Sequence, residues 1–569
     1  MILGSTFAAG PEQNIYEGSS CTIPVNPIDK IVSGKLLKSG VKPAICSDSV
    51  FLRRIFLDVI GTLPTVNEAR EFLQDQDKNK RIVLIDRLLE RDEFAYYWAM
   101  KWSDLLRVKA EFPVNLWPNA AQAYHHWIMA SIRENKPYDQ FVREMLTANG
   151  SNFRMGPVNF YRAIQNKTPE GIAATVALTF MGARVESWPK KEYLPGMAVF
   201  FSQVSYKPTR EWKEEIVFWD PDKGRIPTAT NNIPQVTNNI SQATNAASQQ
   251  VTNSISGSAT NALPQQITNS APATVTTPPV NNAPQVAIFP DGKKLKKLPP
   301  DQDPREIFAD WLITPKNPWF TKNIVNRVWS WFMGRGIIHE PDDIRPDNPP
   351  ANQALLEYLQ KEFIASGYNM KHLYRMILTS RTYQFSSIIP KTDDPDKVEA
   401  NFGFYPLRRL EAEVLIDAIN SVTGTSDLYT SAIPEPFTFI PENKPAIALP
   451  DGSITSPFLE LFGRPARATG MENERINRLL PTQRMHLLNS SHIQKKLLEN
   501  KNLKLILKSK SKPQEIIEEL YLTILSRFPT PEEVENANAY AKTGVVKGND
   551  AWIDLVWALI NSNEFLYRH

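Results

Sequence analysis

Two clusters of side chains in this chain have the residue types and spacing that chemistry needs. The first is the loop Asp342-Asp343-Ile344-Arg345-Pro346-Asp347-Asn348, which follows Gly334-Arg335-Gly336. Adjacent carboxylates beside an amide are oxygen donors of the kind calcium takes, although the EF-hand spacing is missing. The same side chains, set near Arg327 and Arg335, also make an Asp–Arg network that braces a loop, because guanidinium pairs two-pronged with carboxylate. Both readings stand for Arg327, Arg335, Asp342, Asp343, Arg345 and Asn348: a ligand or calcium site, or a loop brace.

The second cluster is His486 with Asn489 and Ser490, and His492 just beyond. A Ser four residues after a His lies one helical turn away, but no G-x-S-x-G elbow or acid partner accompanies it. His486 and Asn489 therefore read as structural or binding groups, and no catalytic constellation emerges. His125 and His126 point roughly 100° apart on a helix and do not easily share a metal. Arg464, Arg467, Glu472, Glu474 and Arg475 mix signs in one stretch. Mixed signs favour an internal salt-bridge network over phosphate or sulfate capture, with anionic glycan binding as the alternative.

The elements that must hold these groups read as mainly α. Asn26-Pro27 opens a helix whose stripe is Ile28, Ile31, Val32 and Leu36, and Ser39-Gly40 ends it. Phe51, Leu52, Ile55, Phe56 and Val59 make an amphipathic helix stopped at Gly61, and Thr65 to Glu68 is a capping box. Further helices are expected over 80–90, 93–108, 120–134, 138–147 and 169–181, with strands at Met197–Ser205 and Glu215–Trp219. Beyond them, helices are expected over 304–313, 319–333, 351–366, 370–380, 410–422, 481–497, 513–526, 531–543 and 550–561. The proline-rich stretch Ile433 to Pro457 reads as a long ordered loop. The helix over 319–333 is the richest in aromatics, with Phe320, Trp329, Trp331 and Phe332 beside Arg327.

The chain's two ends echo each other. Leu57, Val59, Ile60, Pro64, Thr65 and Glu68 match Leu522, Ile524, Leu525, Pro529, Thr530 and Glu533 in order and spacing. Glu93-Phe94 has its counterpart in Glu564-Phe565. Both ends should form helical hairpins, either by common construction or by duplication.

From Ile226 to Pro290 the chain is Asn, Thr, Gln, Ser, Ala and Pro, and a Gln-Val/Ile-Thr-Asn repeat begins at 235, 250 and 266. Such composition lacks the apolar surface to offset ordering entropy, so the tract is expected to be a disordered linker, with stacked β-turns as the minority reading. It divides the chain into an N-terminal tail (1–25), a helical region (26–225), the linker (226–290) and a second helical region (291–569). Taken with its 569 residues, this gives two helical domains with minor β and long ordered loops.

A net charge of +3 gives no case for nucleic acid. No apolar run reaches the roughly 20 residues that a membrane-spanning helix needs. MILGSTFAAG, an apolar stretch followed by small residues but without a basic start, reads either as the end of a truncated secretory signal, which would place the protein outside the cytoplasm (periplasmic, secreted or cell surface), or as a plain disordered N-terminus. Cys21 and Cys46, the two cysteines, either pair or are separate buried thiols; pairing would add about 3 kcal/mol on the chain-entropy model. The 13 tryptophans admit a polysaccharide reading by stacking, although most sit at core spacing.

Residues 26 to 220 resemble the planctomycete cytochrome-associated domain. The match runs through Leu52-Arg53-Arg54-Ile55-Phe56-Leu57-Asp58, Leu63-Pro64-Thr65, Ile85-Asp86-Arg87-Leu88-Leu89, Trp102-Ser103-Asp104 and Pro137-Tyr138-Asp139. Residues 303 to 569 resemble that family's C-terminal domain. The marks there are Asn317-Pro318-Trp319-Phe320, Asn326-Arg327-Val328-Trp329, Ser380-Arg381-Thr382-Tyr383-Gln384, Arg408-Arg409-Leu410, Phe462-Gly463-Arg464-Pro465 and His486-Leu487-Leu488-Asn489-Ser490. The resemblance implies a two-domain protein outside the cytoplasm, of unassigned reaction. Relatives commonly carry a CxxCH-type haem motif after the helix ending Phe180-Met181-Gly182. Here that place reads Ala183-Arg184-Val185-Glu186-Ser187-Trp188-Pro189, so a haem redox role is read as lost and no cofactor is expected. The resulting expectation is a structural or interaction protein with a protein partner, a surface assembly or a polysaccharide. A hydrolase with its site between the two halves is the alternative.

Overall fold

The computed structural model describes residues 14–18, 25–111, 116–223, 286–438, 440, 442–510, 512–543 and 548–569. Most of the expected tail, with Cys21, and nearly all of the Asn/Thr-rich tract lie outside the described residues.

The chain is mainly α-helical with a few short strands. Local sequence sets many helix starts. Asn26 caps Pro27–Lys38, accepting from the Asp29 amide while the Asp29 carboxylate accepts from the Asn26 amide. Thr65 and Glu68 close the same reciprocal box on Val66–Gln74, as do Thr530 and Glu533 on Pro531–Lys542. Each box satisfies two backbone donors that a helix start leaves open.

Besides short helices such as Asn159–Ala163, Pro395–Ala400 and Pro457–Leu461 that were not expected, three larger differences from the sequence expectation appear. Met197–Ser205 is not a strand: its start is helical through Ala198, and pairing begins at Val204. The three-stranded antiparallel sheet there places Glu215–Trp219 between Gly150–Ser151 and Val204–Pro208. The helix expected over 481–497 is two helices, Pro481–Asn489 and Ser491–Glu499, broken where extended Ser490 ends one and caps the next. Lys501–Ser509 is a helix that hydrophobic spacing did not reveal.

The described residues of 1–223 and 286–569 form one compact unit, so the regions on either side of the tract share a core. Trp98, from the N-terminal region, donates to the Val59 carbonyl and packs within 5.5 Å of Trp331, Phe332 and Tyr374 ring centroids from the C-terminal region. Two buried arginines join the regions through backbone. Arg53 donates to the carbonyls of Ile524 and Phe565, and Arg54 to those of Tyr383, Phe385 and His569. Burying a guanidinium is costly unless its donors are met, so these carbonyls hold the regions in register.

Candidate functional site

Helix Phe320–Met333 positions the first cluster. Its apolar face buries Ile324, Val328 and Phe332, and Gly334 ends it in the left-handed conformation at φ +68°. There a Cβ would come within 2.7 Å of Arg408, so only glycine turns the chain at this point. The Asn326 amide then brackets Ile338, donating to its carbonyl at 3.0 Å and accepting from its amide at 2.8 Å. This returns the Asp342 loop across the helix.

Arg327 and Asp342 form a buried pair at 2.5 Å, their side chains 1% and 3% exposed. The second Asp342 oxygen accepts from the Glu472 amide at 2.7 Å. Glu472 in turn accepts from Trp331 Nε1 at 3.1 Å and lies 3.7 Å from Arg327. Burial works against charge on Arg327, but Asp342 and Glu472 keep its guanidinium raised above the ordinary value. Arg327, Trp331 and Glu472 meet Lys101, Asp104 and Arg475 around a chamber of about 20 Å3, room for one water.

The remaining loop residues stay at the rim. Arg345 lies 3.2 Å from Asp343 and 3.4 Å from Asp347. Asn348 donates to the His339 and Asp343 carbonyls. Arg335 turns away toward Glu399, at 3.9 Å. The Asp342 oxygens are thus engaged by Arg327 and a backbone amide, while Asp343 and Asp347 face Arg345. Among the described residues no group of three or more His, Cys, Asp and Glu is placed to hold a metal. Cys46 is buried, and Arg81 donates to its carbonyl at 2.9 Å.

Around the chamber runs a network that motif reading did not assemble. Asp104 pairs with Arg467 at 2.9 Å and Arg475 at 2.6 Å, and Arg475 reaches Glu413 at 2.6 Å. Lys101 and Arg568 both lie 2.5 Å from Glu411, and Arg568 lies 3.1 Å from Asp58, which also accepts from Tyr383 and Tyr405. Burial opposes ionising Glu411, yet Arg568 and Lys101 overcome it and hold its carboxyl well below the usual range. Glu413 is likewise buried, and Arg475 brings it down to about 2. Arg408 lies 3.6 Å from Asp58 and Arg464 3.3 Å from Glu413. The partners of Asp58 and Asp104 come from the far side of the tract, and those of Glu411 and Glu413 include residues 50 or more positions away, so local pattern could not connect them.

His486 belongs to a separate cluster. Its Nε2 lies 3.4 Å from His492 Nδ1, and His492 Nε2 lies 2.8 Å from Asp427. Phe458 and Phe462 pack against the His486 ring. Burial and the neighbouring His492 lower the His486 pKa. Asn489 is exposed at the end of its helix.

An open groove of about 570 Å3 runs between the helices Pro513–Leu525, Pro531–Lys542 and Asp550–Ile560. Tyr521, Tyr540, Trp552 and Trp557 line it with Glu533, Asn536 and Asp554, and Tyr540 donates to Asp554 at 2.7 Å. Aromatic residues thus stand beside carboxylates and an amide on one surface.

Residues 304–541 match the family model described as "PSD1: Protein of unknown function (DUF1553)". Residues 27–187 match the one described as "PSCyt2: Protein of unknown function (DUF1549)". No curated protein and no solved structure matches the chain. With both regions present in this order, the chain belongs to the family in which a PSCyt2 region is followed by a PSD1 region.

Proposed function

We propose that this protein is an extracytoplasmic interaction protein that holds a polysaccharide, as part of a surface assembly, in the groove between the helices Pro513–Leu525, Pro531–Lys542 and Asp550–Ile560. The observation that carries this reading is the lining of the groove, where Tyr540, Trp552 and Trp557 stand beside Asp554 and Asn536. Aromatic rings offer an apolar surface to sugar C–H groups, and carboxylate and amide oxygens accept from sugar hydroxyls. Its volume falls within the roughly 300–1,000 Å3 of ligand sites. The uncharged Ser- and Thr-rich tract and the signal-like start support a place outside the cytoplasm. The chamber supports a structural part for the Arg327–Asp342 cluster, since its room is that of one water and its charges are already paired.

A glycan array of neutral and acidic polysaccharides, probed with the full chain, tests the reading. Binding should appear and should fall at least about tenfold in Tyr540→Ala, whose half-exposed ring can be removed without opening the core; tenfold is 1.4 kcal/mol, within the range of one aromatic contact. Binding that survives Tyr540→Ala, or no binding to any glycan, overturns it.

A further inference from the structure

We infer that the groove between Pro513–Leu525, Pro531–Lys542 and Asp550–Ile560 takes a glycan bearing free amino groups, with an ammonium held between the aromatic rings and Asp554. This rests on the polysaccharide reading and narrows it to one chemical class. The chain supplies its own precedent in the hairpin at its other end. Registered on their capping boxes, Val66–Gln74 and Pro531–Lys542 place Phe72 opposite Ala537. Registered on Leu88-Leu89 and Leu559-Ile560, the next pair of helices places Lys80 and Arg81 opposite Ala551 and Trp552.

In the N-terminal hairpin the chain fills this region itself. Phe72 is buried and stacks on Phe51, with ring centroids 6.1 Å apart. Lys80 lies over the Phe72 ring at 4.9 Å and Arg81 over the Phe51 ring at 4.6 Å. Both cations also pair with Asp48, at 2.8 and 2.7 Å. Rings, cations and carboxylate therefore all come from within.

In the C-terminal hairpin the small Ala537 and Ala551 line an open space of about 570 Å3, and no Lys or Arg lines it among the described residues. Tyr521, Tyr540, Trp552 and Trp557 still supply rings, from other positions. Glu533 is clasped two-pronged by Arg527, at 2.7 Å to each oxygen, so its charge is met inside the fold. Asp554 differs: one oxygen accepts from Tyr540 at 2.7 Å, and among the described residues no cation pairs with it. An aromatic face attracts ammonium, Trp most strongly, and an adjacent carboxylate adds its charge. Uronate, sulfate and phosphate groups would meet like charge here. Four rings in such a volume exceed what one ammonium uses, and the C–H faces of neighbouring sugars take the rest, which favours a glycan over a lysine side chain.

The test titrates the full chain by calorimetry with a β-1,4-linked glucosamine oligomer and with its fully N-acetylated form, at about pH 5.5, where an amine is protonated. The amine form should bind at least about tenfold tighter. Asp554→Asn keeps the shape and removes the charge, so it should weaken the amine form about tenfold and leave the acetylated form unchanged. Ala537→Phe, which restores the ring of the N-terminal hairpin, should abolish binding of both with an unchanged circular dichroism spectrum. Equal affinity for the two oligomers, or an unchanged amine affinity in Asp554→Asn, overturns the inference and leaves the polysaccharide reading standing. So does binding of neither oligomer while a neutral or acidic glycan binds. A lysine homopolymer bound as tightly as the amine oligomer also overturns it, moving the site to basic peptides, and no binding of any glycan removes both readings.

Discussion

Among single residues, Arg327 links the sequence pattern to the fold most directly. Its charge, the aromatic helix around it and the acidic loop after it were all legible, but the choice between Arg327 and Arg335 was not. Burial makes that choice: Arg327 lies on the inner face and takes Asp342, whereas Arg335 follows the left-handed Gly334 and points outward to Glu399. Glu472, the third member, is 130 residues from Asp342, too far for any local pattern to connect. Replacing Arg327 by Met should lower stability by about 3 kcal/mol, because Asp342 would stay buried with one amide as its partner. Urea titration of the variant measures this, and an unchanged midpoint would show that the pair holds nothing.

At the level of elements, helices were legible where either a cap or an apolar stripe marked them: Phe141, Val142, Met145 and Leu146 stripe 138–147, and Thr168 caps 169–181. They were not legible where tertiary packing overrode local signal. Ser490 reads as an ordinary helical residue until its hydroxyl caps Ser491–Glu499. The echo between the chain's ends extends from sequence to electrostatics. Arg91 bridges Glu68 and Glu93 at 2.7 and 2.6 Å, and Arg527 bridges the counterparts Glu533 and Glu564 at 2.7 Å each. One clamp therefore closes both hairpins. The loop lacking the haem motif also has a defined neighbour. Gly182 begins it at φ +61°, its carbonyl accepts from the Ile344 amide at 2.8 Å, and a Cβ there would lie 2.6 Å from Asn323 Oδ1. Gly182→Ala should therefore cost about 2 kcal/mol or more, visible as a lowered melting temperature. A variant as stable as the wild type would mean that the Asp342 loop gives way easily.

Across the whole molecule, the buried charges set a pH window. Glu411 and Glu413 titrate below the ordinary 4.5 in the fold, so their stabilisation is present above about 4.5 and is lost as pH falls. Asp417 does the reverse. Burial pushes it up to about 7 against two backbone amides, those of Ala446 and Ile447, so its contribution is full below about 4 and declines as pH rises through 7. Melting temperature plotted against pH should therefore peak near about 4 to 4.5, fall towards pH 7 and level off above it, and Asp417→Asn should remove that fall. A wild-type profile that is flat from about pH 4.5 to 8 would show that Asp417 is ionised throughout.

The two stretches flanking the tract, ending at Lys223 and resuming at Val286, belong to one compact unit. Folding is therefore an association of the chain with itself: Arg53 and Arg54 dock onto carbonyls that appear only after Gln285. The tract is the covalent link that sets the effective concentration of that docking. Its length then governs how fast and how often the halves meet, with only a logarithmic entropy cost as it grows. Losing either arginine would leave the carbonyls it binds without their donor at this seam, while the shared apolar core would still join the two regions.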